Sequence, residues 1–237
     1  MGRFSEPLAT EFVALLGLRD GDRVLDVGCG PGALTRLLVQ RSAAVSAVDP
    51  SESFVTAVRE RIPGIEVYRA AAEDLPFADD RFDCAAAQLV VHFMTDPVTG
   101  LAEMARVTRP GATVAACVWD HGTAAGPLSM FWRAVQALDL DSRGEATLAG
   151  AREGQLARLF EQAGLHDVES TVLTVRVRFA SFEDWWEPFT LGVGPAGAYV
   201  AHLDATGRAE LATECAKLLP QAPFEIAASA WTALGRA

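Results

Sequence analysis

VLDVGCGPGALT, residues 24–35, is an apolar run that breaks into a glycine-rich loop and resumes at helical spacing. Gly28, Gly30 and Ala33 satisfy GxGxxG/A between a strand and a helix, the arrangement in which a parallel sheet cradles a dinucleotide. Two neighbours argue against a phosphate there. Asp26 stands two residues before the first glycine, where a carboxylate repels a pyrophosphate and attracts an ammonium or sulfonium. Pro31 removes a backbone N–H from the place where a phosphate would seek one. Asp49 stands where an acid grips ribose hydroxyls, a feature that a dinucleotide shares with other nucleoside ligands.

Upstream, PLATEFVALLGL has helical apolar spacing, with Pro7 near its start and Gly17 to end it, predicting an amino-terminal helix within 1–20. Downstream, GALTRLLVQR reads as a helix, AAVSAVD as a strand, SESFVTAVRERI as a helix and IEVYRA as a strand. RFDCAAAQLVV is a strand ending near Gln88, and DPVTGLAEMARV is a helix. A turn at Arg109, Pro110 and Gly111 precedes the strand ATVAACVW. Five strands alternating with helices of crossover length predict a doubly wound parallel sheet over 21–120, with its ligand crevice at the carboxyl ends of the strands. Beyond Trp119, GPLSMFWRAVQALD and AREGQLARLFEQAGL are helical, and VESTVLTVRVRF alternates as a long strand. The closing strands are placed at about 167–179 and 223–235, with lid segments at about 122–145 and 181–222, all within a single domain, 1–237. The aromatic stretches FWRA and FEDWWEPF, the latter followed by GVGPAG, are expected to form a lid that excludes water.

The chain has 237 residues, half of them hydrophobic, and a net charge of −11, so its field gives no footprint for nucleic acid. No apolar run approaches the ~18 residues of a membrane span, and MGRFSEPLAT lacks a signal-peptide core, which makes the cytoplasm the expected location. Cys29, Cys84, Cys117 and Cys215 are scattered singly and read as reduced core thiols. Lys217, the sole lysine, makes Schiff-base chemistry an unattractive reading. Asp79, Asp80 and Asp83 read as a solvated turn and strand start, and no metal site is expected.

VLDVGCGPG, the acid in AVDPSE, EDLPFADDRFD and EMARVTRPGATV, in that order, resemble the class I S-adenosylmethionine-dependent methyltransferases, in particular the small-molecule branch with quinone-biosynthesis-type enzymes. The resemblance implies a Rossmann-like α/β fold, a doubly wound seven-stranded sheet, mostly parallel with the last strand antiparallel, carrying helical lid insertions. It implies S-adenosylmethionine as cofactor and S-adenosylhomocysteine as product. Gly28 and Gly30 would lie under the methionine and ribose, Asp26 would help hold the amino group, and Asp49, followed by Pro50, would take the ribose hydroxyls. Ala72 would offer its N–H to the adenine edge, and Gln88 would sit beside the methionine. Where many relatives carry an aspartate for the adenine amine this chain has Ala71, with Glu73 or Asp74 next in line. Arg3, in MGRFS, resembles an arginine that meets the cofactor carboxylate in some relatives, and otherwise reads as a solvated terminal charge.

Methyl transfer from a sulfonium is an in-line displacement, so alignment in a dry pocket carries most of the catalysis. An acidic hydroxyl or carbon acceptor gains from a base, for which His92 and His121 are the candidates, each also readable as a loop histidine satisfied by backbone. The strand end AQLVVHFM lacks an Asn-Pro-Pro-Tyr-type tetrad, which disfavours nucleic-acid bases and glutamine amides as acceptors. The expected reaction is transfer to an oxygen or carbon of a small, largely apolar molecule, by a monomer or homodimer. Two alternatives stay open: an NAD(P)-dependent oxidoreductase, which would lack a Tyr-x-x-x-Lys pair, and a non-catalytic protein binding S-adenosylmethionine or S-adenosylhomocysteine.

Overall fold

The computed structural model describes residues 2–41, 44–138 and 145–237. Outside the described residues fall Met1 of the expected first helix, Ala43 of AAVSAVD and positions 139–144 of the expected 122–145 segment.

β1 (Arg23–Val27) is buried on both faces beyond its first residue, as a central parallel strand must be. β2 (Ala44–Asp49) and β4 (Phe82–Gln88) flank it in parallel, followed outward by β3 (Glu66–Arg69) on one side and β5 (Thr108–Trp119) on the other. β7 (Phe224–Arg236) lies antiparallel between β5 and β6 (His166–Phe179), which gives the order β3-β2-β1-β4-β5-β7-β6. The expected seven-stranded sheet with a reversed last strand is therefore what forms. Strand order reverses between β1 and β4, and there the chain leaves the sheet in opposite directions and opens a crevice.

Side-chain alternation divides the strands between two cores. Val24, Cys84 and Ala86 face one, with Phe12 and Leu8 of α1 (Gly2–Leu15) and Leu38 of α2 (Ala33–Arg41). Leu25, Val27, Ala85 and Ala87 face the other, with Leu101 and Met104 of α4 (Pro97–Val107) and Phe160 of α6 (Gln155–Gln162). Val55 and Val58 of α3 (Glu52–Arg61) close a third cluster over β2 and β3. The four cysteines are buried and free, and burial pushes the thiols of Cys84, Cys117 and Cys215 up to about 12.

Two boundaries depart from expectation. α1 starts at Gly2, so Pro7 lies inside it. Tertiary contacts carry the helix across the proline: Phe4 packs on Trp119 and Phe179, and the Ser5 carbonyl accepts from Gln88 Nε2 at 2.9 Å. β5 starts at Thr108, and the turn expected at 109–111 is instead an irregularity in its pairing with β4, with Gly111 at φ +76°.

The aromatic stretches pack on one another. Phe131 of α5 (Ser129–Leu138) is fully buried, stacked on Phe189 at 4.8 Å and meeting Trp132 edge-on at 5.0 Å. Trp185 of α7 (Phe182–Trp186) and Tyr199 of α8 (Gly194–His202) join the same cluster, beneath which α9 (Ala205–Leu218) packs on α5. These rings hold the insertion to the core, while Leu191 and Val193, beside Gly192 and Gly194, stay exposed. Phe131→Ala should cost about 3–5 kcal/mol of unfolding free energy, read by urea denaturation. A loss under about 1 kcal/mol would show that the cluster does not anchor the insertion.

Candidate active site

The chain turns over the strand tips through Gly28 (φ +71°) and Gly30 (φ +51°), in the left-handed region that glycine alone enters without strain. The N–H groups of Gly28 and Cys29 both donate to the Val48 carbonyl, at 2.8 and 2.9 Å, clamping the loop to β2. A Cβ on Gly28 would lie 2.4 and 2.6 Å from the Val90 methyls, so the segment after β4 rests directly on the loop. At Gly30 a Cβ would meet nothing within 4 Å. One glycine admits a neighbouring chain, and the other leaves an open cradle.

Beneath the loop lie two buried carboxylates. Asp49 accepts from the N–H of Gly30 and of Ser51, both at 2.9 Å, tying the end of β2 to the loop. Asp26 accepts from the Thr35 hydroxyl at 2.6 Å. Burial pushes its carboxyl up to about 7; the Thr35 hydrogen bonds oppose this rise and the charge of Asp49 adds to it. An acid held this way is best satisfied by a cation.

At the ends of β4 and β5 several polar atoms are buried without a partner: Gln88 Oε1, His92 Nδ1, Trp119 Nε1 and His121 Nε2. Trp231 Nε1, in β7, shares that condition. Folded interiors pair almost all such atoms, so their concentration at the tips of β4 and β5 makes this the candidate site. The rings of His92 and His121 stand 6.4 Å apart. His121 Nδ1 faces Glu145 Oε2 at 3.9 Å, and that oxygen accepts from Trp132 Nε1 at 2.8 Å. Burial, with His121 adding to it, pushes His92 down to about 4. His121 is also held low by burial, against the pull of Glu145 and Asp120. Burial thus disfavours the charged form of both rings.

The structure thus gathers Asp26 and Asp49, at strand ends, around the loop of Gly28 and Gly30, with Gln88, His92 and His121 along the adjoining strand tips. Arg3 is committed elsewhere, to Asp184 at 2.7 Å and the Arg178 carbonyl at 2.9 Å, with its guanidinium over Phe179. Glu73 Oε1 accepts from the N–H groups of Thr95 and Asp96, Asp74 and Pro50 are exposed, and Ala72 is buried below α4. Asp79 and Asp83 hold arginines, Asp79 pairing with Arg106 and Asp83 with Arg109 and Arg23. Among the described residues no group of three or more His, Cys, Asp or Glu could hold a metal ion.

Sequence reasoning missed Thr35, Val90 and Glu145, and read Trp132 only as part of the aromatic stretch FWRA. Thr35 carried a signal, a hydroxyl on the first turn of an otherwise apolar helix face. Glu145 carried none, since it sits in a stretch without periodicity.

Sheet order, reversed seventh strand, glycine loop and the acid at the end of β2 together give the Rossmann-like α/β fold seen in class I methyltransferases. Residues 25–116 match the family model described as "Methyltransferase domain". Demethylmenaquinone methyltransferase of Mycobacterium sp. (strain KMS) is 40% identical over 114 residues, 48% of each chain. Malonyl-[acyl-carrier protein] O-methyltransferase of Pseudescherichia vulneris is 36% identical over 123 residues, 52% of this chain and 49% of that one. The matched part thus spans about half the length of these curated relatives. Phosphoethanolamine N-methyltransferase 2 of Haemonchus contortus, solved with phosphomonomethylethanolamine and S-adenosylhomocysteine, shares the fold over 97% of this chain and 52% of that one, at a TM-score of 0.60 and 16% identity.

Proposed function

We propose that this protein transfers a methyl group from S-adenosylmethionine to an oxygen or carbon of a small, largely apolar molecule. The observation that carries the reading is the buried Asp26 carboxyl beneath an open Gly30, which suits a cationic nucleoside ligand and opposes a pyrophosphate. The residues fit that cofactor: Asp26 would meet its ammonium, Asp49 its ribose hydroxyls, and the bare Gln88 Oε1 its methionine end, over Gly28 and Gly30. Pro50, the Ala72 N–H and Glu73 would lie toward the adenine. Arg3 would reach the cofactor carboxylate only by leaving Asp184. When bound, the cofactor supplies an electrophilic methyl on a sulfonium.

The chain's own contribution is to orient the acceptor, to keep water out beneath 122–138 and 181–222, and to take up a proton where the acceptor carries one, through His92 or His121. We place this activity in the cytoplasm, in a monomer or homodimer that acts without nucleic acid or membrane. No helix among the described residues is long and apolar enough to cross a bilayer. The nicotinamide alternative finds no support in the relatives, and a purely binding role would leave the paired histidines without a task.

Calorimetric titration with S-adenosylhomocysteine, S-adenosylmethionine and NADH tests the reading. The first two should bind and NADH should not. Asp49→Ala should weaken binding about 10- to 100-fold, the loss of charge-assisted hydrogen bonds to two hydroxyls. Binding of NADH alone would overturn the assignment.

A further inference from the structure

We propose that His121 and Glu145 form a base pair for O-methylation, in which Glu145 fixes the His121 tautomer so that Nε2 takes the proton of a phenolic or enolic acceptor hydroxyl. The inference rests on the methyltransferase reading and goes beyond it by selecting one histidine, its positioning residue and the acceptor class.

Geometry carries the selection. His121 follows the end of β5, and its two ring nitrogens have opposite surroundings. Nδ1 faces the buried Glu145 carboxylate at 3.9 Å, whereas Nε2 is buried with no partner. A carboxylate beside Nδ1 favours the Nδ1–H tautomer and leaves the Nε2 lone pair free. Glu145 is itself held by Trp132 Nε1 at 2.8 Å, and its exposure is 6%, so the carboxylate cannot swing to solvent. His92, 6.4 Å away between rings, has a bare Nδ1 and no carboxylate partner among its described contacts. It is the poorer base and the better hydrogen-bonding guide for the acceptor. The 89–93 segment joins this pair to the cofactor loop, since Val90 lies against Gly28.

Phenols and enols are the hydroxyls that a neutral imidazole activates usefully, because an aliphatic alcohol holds its proton too tightly. In the step, the acceptor oxygen forms its bond to the methyl carbon as the methyl's bond to sulfur breaks, the electron pair remaining on sulfur. The hydroxyl proton passes to His121 Nε2. The resulting imidazolium faces Glu145, and a cavity of about 50 Å³ lined by His121, Ser129, Trp132, Arg133 and Glu145 offers room for a water to carry the proton away.

The charged and titratable groups facing His121 are Glu145, Asp120, His92 and, across the cavity, Arg133. Asp120 is occupied by the N–H and hydroxyl of Thr123, which leaves Glu145 as the group whose removal should be felt most.

The test is nitrogen-15 NMR of the histidine rings in the whole cofactor-free protein, wild type against Glu145→Gln, which keeps an oxygen for Trp132 Nε1. With four histidines in the chain, single substitutions assign every ring. The wild type should show His121 as the Nδ1–H tautomer, titrating below pH 6.5. Glu145→Gln should lower that titration by about one unit, as loss of a nearby opposite charge does, and mix the tautomers. With phenolic acceptors, the acidic limb of kcat should move down with it, and kcat should fall at least about tenfold with little change in KM. An Nε2–H tautomer in the wild type, or a titration indifferent to Glu145, overturns the pair. Calorimetry separates the two levels: S-adenosylhomocysteine binding with an unresponsive His121 defeats only the pair, and absence of that binding defeats the methyltransferase reading itself.

Discussion

Gly28→Ala is expected to lower the melting temperature by about 5–15 °C and to weaken S-adenosylhomocysteine binding at least about tenfold. Two separate costs add. At φ +71° an alanine is held in the left-handed region, at about 1–2 kcal/mol. Its methyl also lands 2.4 and 2.6 Å from the methyls of Val90, an overlap that forces the 89–93 segment off the loop at about 1–3 kcal/mol. In a chain of this length each kcal/mol moves the melting temperature by about 2–4 °C. The ligand loses as well, since the displaced segment carries His92 and the alanine disturbs the N–H that binds the Val48 carbonyl.

Val90→Ala separates the two costs. In the double variant the two methyl overlaps are removed, the Val90 Cβ contact at 3.0 Å and the dihedral cost remain, and the substitutions should couple favourably by about 1–2 kcal/mol in a thermal or urea double-mutant cycle. Additive effects would show that Val90 does not rest on the loop in solution.

The parallel half of the fold was legible because each strand is a short apolar run bounded by turn residues and each helix has an apolar stripe. The strand VLDVG and the helix DPVTGLAEMARV both lie where local chemistry puts them. What was not legible depends on partners far away in sequence. Pro7 reads as a helix start until Phe4 and Ser5 find Trp119 and Gln88. The rings at 131 and 185–189 pack on one another, a pairing no single segment reveals. The site divides in the same way. Asp26, Asp49 and the glycines announce themselves by spacing, whereas Glu145 is defined only by the histidine that folding brings beside it.

Asp26→Asn should stabilise the cofactor-free protein at pH 8 while removing its affinity for S-adenosylmethionine. The Asp26 carboxyl is pushed from 3.8 to about 7 by burial, so the folded chain binds a proton there that the unfolded chain has released between those values. Stability therefore falls as pH rises from about 4 to about 7 and is flat beyond, a loss of about 4 kcal/mol at 1.36 kcal/mol per unit. Asparagine keeps an oxygen for the Thr35 hydroxyl and carries no charge, so it should recover much of that loss above pH 7 and almost none below pH 4. Urea denaturation across pH reads the difference, and a gain that did not grow with pH would remove Asp26 as its source. The same charge is what a cationic ligand needs. Binding should draw the carboxyl back toward its ordinary value, so affinity should rise with pH up to about 7 and level off above it, with close to one proton released at pH 6. Calorimetry in two buffers of different ionisation heat counts that proton. Asp26→Asn should abolish both the release and the pH dependence, because a site built to be strained when empty is the one a cation completes.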